Sequence, residues 1–264
     1  MRKDIIALST GILWLICSNA AVSQTAKPAY VSLAFIRSKS PDFIVQEKEF
    51  WSPVHQQLIK QGKKSAWYMY RVKYPQGTSA SYDYVRFNVF TDWKQTEAPY
   101  AGVDEIIQKV HAGRNTEISK KADQVREVVW EQLFQVIDEA VINIKAPSKY
   151  IVANMVKTAG GPESEYVKME ITYFKPFHAE RVARGIMSNW SLYKPVIPYG
   201  DKYEFNYITL NGYPTWEDIT KNNPPDVWSK VHGNLSFNEI HDKILSMRNT
   251  VNNEVWELVA FAVE

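Results

Sequence analysis

The sequence predicts an α+β fold made of two tandem copies of one β-α-β-β-α-β unit, and three observations carry the prediction. Residues 47–93 recur as residues 170–216, 123 positions later, with 12 of 47 positions identical and no gap, where chance gives about three. In each copy a stretch of helical apolar spacing is followed by two alternating stretches joined by a Pro/Gly turn. Each copy is also flanked by a β-rich segment on either side. A repeat of this length is an architectural statement before it is a chemical one.

Residues 29–37 are short, apolar and β-branched, and predict a first strand. Ser40, Pro41 and Asp42 then form a helix start, and Phe43, Phe50, Trp51, Val54, Leu58 and Ile59 keep helical spacing to a stop at Gly62. Pro53 falls inside this helix and predicts a kink or a split, because it lacks an N–H and crowds the preceding turn. Pro176 repeats it in the second copy. Lys63 and Lys64 read as a solvated helix end. Residues 67–74 and 82–90 form a hairpin whose second strand points Val85, Phe87 and Val89 one way and Tyr84, Arg86 and Asn88 the other. A helix follows at about 103–111, with helix or loop at 120–126 and a fourth strand over 128–144. The second copy repeats the order: strand 150–156, kinked helix 163–185, hairpin 190–197 and 203–211, helix 226–232, and a closing strand 255–263. Gly160, Gly161 and Pro162 form the loop before its helix. Each copy thus has the order of the ferredoxin-like unit, and two such units can bury their open sheet faces against each other.

The chain begins with Arg2 and Lys3, an apolar run over 5–16 and small residues to Ser23, which is the pattern of a secretory leader. The expected organisation is a leader at 1–23, a first repeat at 24–145 and a second at 146–264, in a protein exported to the periplasm or the medium. Twelve apolar residues are too few to span a bilayer, so no stable membrane anchor is expected. The single cysteine, Cys17, lies inside the leader; small residues do not precede it as lipidation requires. Disulfides, cysteine nucleophiles and cysteine-ligated metals are thereby excluded from the mature chain. A net charge of +2 without a basic stripe gives no reason to expect a nucleic-acid partner.

The candidate chemistry is written twice. Glu47, Trp51 and His55 are spaced i, i+4, i+8 on one helical stripe, and Glu170, Phe174 and His178 copy them. The imidazoles are candidate acid/base groups because they titrate near neutrality, or axial ligands to a haem; Glu47 and Glu170 lie about 12 Å away along an unkinked axis, too far for a direct hydrogen bond but able to open onto the same cleft. The competing reading has each histidine bonding a backbone carbonyl freed by Pro53 or Pro176. On the hairpins, Trp67, Tyr70, Tyr84 and Asn88 match Trp190, Tyr193, Tyr207 and Asn211. Large aromatics at such positions pack sheet cores, whereas a buried carboxamide needs partners; with Tyr84 and Arg86, Asn88 is a candidate to present hydrogen-bond groups to a small ligand in a barrel interior. His111 and His232 close their helices as capping residues. No zinc-binding helix, phosphate loop, dinucleotide fingerprint or nucleophile elbow is present.

The order of elements, twice in one chain, resembles the dimeric α+β-barrel superfamily, with the usual pair of subunits replaced by two halves of one polypeptide. That superfamily includes antibiotic-biosynthesis-type monooxygenases, haem-degrading oxygenases, chlorite-dismutase-like and dye-decolourising haem proteins, isomerases and NIPSNAP-like proteins. The resemblance implies an intramolecular barrel with two pseudo-equivalent pockets and a small apolar or aromatic ligand. It leaves three functions open: binding without turnover, cofactor-independent oxygenation or isomerisation through His55 and His178, and haem chemistry. Haem-degrading members use an asparagine, a tryptophan and a helix histidine. Asn154, Trp216 and His232 occur here in that order, but with too long a gap before the histidine and Ala34 in place of the asparagine in the first copy. No cofactor is therefore expected.

Overall fold

The structure, a computed structural model, describes residues 29–77, 80–112, 122–141, 146–158, 163–200, 203–221, 224 and 226–264. The leader assigned to 1–23 and the loop at 160–162 lie outside them. In the first half β1 (Tyr30–Ser38) leads through α1 (Phe43–Gln46), a five-residue wide turn (Glu47–Trp51) and α2 (Ser52–Lys60) to the hairpin of β2 (Ala66–Tyr74) and β3 (Tyr84–Phe90). Next come α3 (Val103–Val110), α4 (Ala122–Val125) and the 16-residue β4 (Arg126–Val141). The second half runs β5 (Tyr150–Thr158), α5 (Glu163–Met169), a second wide turn (Glu170–Phe174), α6 (Lys175–Ala183), β6 (Asn189–Ile197) and β7 (Tyr207–Tyr213). It ends with α7 (Trp216–Thr220), α8 (Asp226–His232), α9 (Phe237–Met247) and β8 (Arg248–Ala262). The short α7 and the eleven-residue α9 have no place in the predicted order.

The strands close into one antiparallel barrel in the order β1-β3-β2-β8-β5-β7-β6-β4. The long strands do the closing. β4 pairs with β1 of its own half and with β6 of the other, and β8 pairs with β5 and with β2. Register shifts in β4 and β8 pairings let these strands bend around the wall. Closure leaves no sheet edge unpaired.

Alternation decides the faces. Val85, Phe87 and Val89 enter the barrel interior with Leu33, Phe35, Phe134 and Trp256, while Tyr84 meets Phe43 of α1 outside, at 5.0 Å between ring centroids. The predicted split of this strand is therefore correct, but the polar row faces the helices. The barrel interior is packed with mostly apolar side chains around the buried Glu254, which accepts from Tyr82 and Trp256, and is not the ligand chamber that the sequence suggested. On the outside, Phe43, Ile59, Trp67 and Met69 form the layer between helix and sheet, and Val54 and Leu58 of α2 pack on Ile106 and Ile107 of α3. No helix among the described residues is long and apolar enough to cross a membrane.

Each proline acts by widening the turn before it. Ser52 donates its N–H to Glu47 O, five residues back, and Lys175 does the same to Glu170 O. The helix continues past each proline, which occupies the first turn of α2 or α6 where its missing donor costs nothing. The neighbouring carbonyls are met from outside: His111 Nε2 lies 3.0 Å from Phe50 O and His232 Nε2 lies 2.8 Å from Tyr173 O. The histidines that serve the proline turns are therefore His111 and His232, and not His55 and His178. His111 also stacks on Phe50 at 4.3 Å. His111→Ala is expected to cost about 1–3 kcal/mol by leaving the Phe50 carbonyl buried without its donor, read as a lower urea midpoint at unchanged slope.

Candidate functional site

The space between the first-half helices and the outer face of the sheet holds a continuous run of buried polar groups. Glu47 is 1% exposed and receives Arg126 Nη1 on Oε1. Its Oε2 has no partner among the described residues. Burial pushes its carboxyl above the usual range, against the opposing fields of Arg126 and Arg86. Glu170, at 3% exposure, is held by Arg248 at 3.1 Å in the same way, beside Tyr166. Both acids are locked into ion pairs at the start of β4 and β8.

His55 is 2% exposed, with its ring stacked on Trp67 at 4.4 Å and 16°. Trp51 packs beside it at 6.4 Å and carries the Arg126 guanidinium over its own ring. Burial holds the imidazole well below its ordinary pKa, and the cations Lys64, Arg86 and Arg126 add to the effect. The surroundings of His55 thus favour the neutral imidazole. His178 stacks on Trp190 at 5.5 Å and 16°, with Phe174 at 6.5 Å. Its Nδ1 accepts from Arg181 Nη1 at 3.1 Å, because a guanidinium can only donate. Burial and then Arg181 hold it well below its ordinary pKa too.

Lys64 corrects the sequence most sharply. Expected as a solvated helix end, it is 1% exposed. Its Nζ donates to Asn88 Oδ1 at 2.7 Å, faces His55 Nδ1 at 3.4 Å and sits 3.9 Å over the ring of Tyr100. Burial, followed by the nearby Arg86, lowers its pKa well below the ordinary lysine value, and Glu131 only partly opposes this. Tyr100 also donates to Asn88 Oδ1, at 3.2 Å. Two donors thus fix the carboxamide oxygen and with it the orientation of the NH2 donor.

A cavity of about 320 Å³ opens beyond this pair. Asn88 and Tyr100 form its polar wall with Ser32, Glu131 and Gln132, while Phe90, Leu133, Ile197 and Pro198 form the apolar one. Glu131 is tied to Ser32 and, at 3.4 Å, to Arg86. Ile197 and Pro198 come from the second-half hairpin, anchored where Gln132 donates to Pro198 O. The cavity thus needs both halves of the chain.

The matched residues of the second half are placed alike and differ in chemistry. Met187 and Thr209 stand where Lys64 and Arg86 would be, and the buried Asn211 Oδ1 has no partner among the described residues. The expected pair of equivalent pockets is therefore chemically one-sided. Tyr70 and Tyr193, predicted to edge the pockets, lie inside the barrel cluster instead, while Tyr207 packs against Tyr166 under the second helix layer. Of the predicted residues the structure brings His55, Trp51, Trp67, Arg86, Asn88 and Glu47 together, and it adds Lys64, Tyr100 and Arg126.

Haem does not fit this arrangement. His55 and His178 lie flat on tryptophans with Nδ1 facing a cation, and His111 and His232 direct Nε2 at carbonyls. Neither the Asn88 cavity nor the one at the first hairpin turn is lined by a histidine, so neither offers the axial ligand a haem iron takes. Among the described residues no three His, Asp or Glu side chains converge as a metal site.

No protein-family model matches the chain, and no curated protein matches it. Among solved structures it superposes on a candidate monooxygenase from Lactobacillus acidophilus NCFM with a TM-score of 0.56, covering 90% of this chain and 97% of that one at 10% identity. A candidate monooxygenase from Fusobacterium nucleatum gives a TM-score of 0.55 over 90% and 95% at 6% identity. These neighbours are dimeric α+β-barrel proteins, and the likeness shows that this chain has their fold.

Proposed function

We propose that this protein is an exported small-molecule-binding barrel, in which two repeats of one chain do the work of two subunits and the first-half cleft is the binding site. The observation that carries the reading is the Asn88–Tyr100 cavity, with an apolar wall on one side and a preset amide donor on the other. Its size and its mixture of surfaces suit a compact aromatic or otherwise apolar molecule bearing one polar group. Export rests on the leader at residues 1–23. Calorimetry with benzyl alcohol as a probe is expected to give saturable binding that Tyr100→Ala weakens at least about tenfold, the weight of one lost stacking face or hydrogen bond. Equal affinity in parent and Tyr100→Ala would refute the assignment.

Turnover is the second reading, favoured by the neutral His55 held 3.4 Å from Lys64 Nζ. Such a pair is suited to acid/base chemistry, and oxygenation, which the structural neighbours' names indicate for them, belongs among the reactions to assay. His55 does not itself line the cavity, so binding is the better supported of the two.

A further inference from the structure

Among the described residues that wall the Asn88–Tyr100 cavity, Glu131 is the one that carries a charge. Its side chain is 43% exposed, and two donors hold it from the protein side: Ser32 Oγ on Oε1, and Arg86 Nη2 on Oε2 at 3.4 Å. Arg86 is buried and does not itself line the cavity, so a ligand meets the carboxylate and not the guanidinium. The other polar wall residues each spend a donor inside the protein. Thr96 gives its hydroxyl to Trp93 O at 2.6 Å, Tyr100 to Asn88, and Gln132 its amide to Pro198 O. β1 lies between β3 and β4 in the barrel. Ser32 on β1 stands opposite Asn88 on β3, about 5 Å away between Cβ atoms, and bonds Glu131 on β4. A ligand group seated over Ser32 therefore has the Asn88 NH2 on one side and the Glu131 carboxylate on the other. The second copy shows that the barrel wall itself does not need this charge. Asn253 stands opposite Asn154 on β5 as Glu131 stands opposite Ala34 on β1, and the uncharged chain Asn253–Asn154–Thr209 replaces the ion pair.

We infer that Glu131 makes this cavity selective for hydroxyl compounds over ethers and carboxylates. This rests on the cavity being the binding site. An ionised carboxylate accepts hydrogen bonds and donates none, and its two oxygens offer about four lone-pair sites, of which Ser32 and Arg86 take two. An alcohol donates its O–H to one of the remaining sites while its oxygen accepts from the Asn88 NH2. An ether of the same skeleton accepts from Asn88 but covers Glu131 with carbon, which strips water from the carboxylate and returns no hydrogen bond. A carboxylate ligand has no proton to donate either, and it meets a like charge at close range. The polar group of the ligand is thereby a hydroxyl, and Glu131 is the residue that sets this preference.

The test is calorimetry on the full chain with three probes of one skeleton: benzyl alcohol, benzyl methyl ether and benzoate. The parent protein is expected to bind the alcohol at least about tenfold more tightly than the ether or the benzoate, the weight of one hydrogen bond whose buried acceptor goes unmet. Glu131→Gln keeps the shape of the side chain and one acceptor for Arg86, and it adds an N–H donor that an ether or a carboxylate can use. In that variant the ether and the benzoate should each gain at least about tenfold, and a gain by the ether rules out its extra methyl group as the cause of its weakness in the parent. If Glu131→Gln lacks the parent's melting transition, the ranking of the three probes on the parent still decides. Equal affinity of the parent for all three, or an unchanged ranking in a folded Glu131→Gln, overturns the selectivity and leaves the cavity assignment standing. No saturable binding of any probe overturns both.

Discussion

Arg126→Ala is expected to cost about 3–5 kcal/mol of folding stability at pH 7, because it strands a buried carboxylate. Glu47 is 1% exposed, and Arg126 is the group that meets its Oε1 while Oε2 stays unpartnered among the described residues. The carboxyl already has a raised pKa in the fold, with burial as the leading cause. Without the guanidinium it rises further. The sign of the pH dependence follows. The folded protein then holds a proton that the unfolded chain releases above about 4.5, so stability falls as pH rises from that value through the folded pKa. Urea midpoints for Arg126→Ala should therefore recover on acidification toward pH 5, and those of the parent much less. The double change Arg126→Met with Glu47→Leu removes both charges, and should return to within about 1 kcal/mol of the parent or exceed it, since well-packed apolar replacements of buried pairs are neutral or better. Arg248→Ala should be milder, because Glu170 keeps Tyr166 as a hydrogen-bond donor. Equal loss for single and double variants would contradict the ion-pair account.

Lys64→Met is expected to stabilise the protein at pH 7, because it removes a buried amine whose protonation the fold opposes. Lys64 has a folded pKa well below its ordinary value, through burial first and Arg86 second. The unfolded chain therefore binds a proton below about 10.5 that the folded one refuses, so the parent loses stability as pH falls from 10.5 through the folded pKa. Methionine removes that penalty, and the stability curve between pH 7 and 10 should flatten. Replacement by the residue that the second half already carries at Met187 keeps the side-chain volume close to the original, so neither a cavity nor a clash masks the effect. A destabilised Lys64→Met with the parent's pH slope would show that the amine is charged and compensated in the fold.

Much of the barrel was legible because it depends on period-2 alternation. Val85, Phe87 and Val89 declared themselves as one face of β3, and the repeat of residues 47–93 fixed where the second hairpin begins. What alternation does not say is which face turns inward once strands close, so the sequence points Asn88 and Arg86 to the barrel interior, whereas they belong to the helix side. The α9 helix had its own signals: Ser236 accepts from Glu239 N–H, and Phe237, Ile240, Ile244 and Met247 keep helical spacing. It lies where the two copies diverge, so the repeat gave no support for it.

The site was half visible. His55, Trp67 and Asn88 stood out because they recur, and recurrence selects the framework shared by the halves: the histidine on its tryptophan. The groups that make the first half distinct, Lys64 and Tyr100, do not recur and therefore carried no signal as matches. The one available clue was the mismatch of Lys64 with Met187, since an apolar residue at the matched position implies burial. Arg126 and Arg248 pair the repeated glutamates from the next strands, beyond the aligned stretch, at a distance that helix spacing cannot reveal.

The most direct test of the binding site is amide chemical-shift mapping of the isotopically labelled protein during titration with benzyl alcohol. The expected perturbations gather at Asn88, Tyr100 and Gln132 of the first half and at Ile197 of the second, and saturate together, because these residues wall one cavity. Shifts confined to the hairpin turn at Gln76 and Gly77, or no saturable shifts at all, would contradict the assignment of that cavity as the place where this barrel takes its ligand.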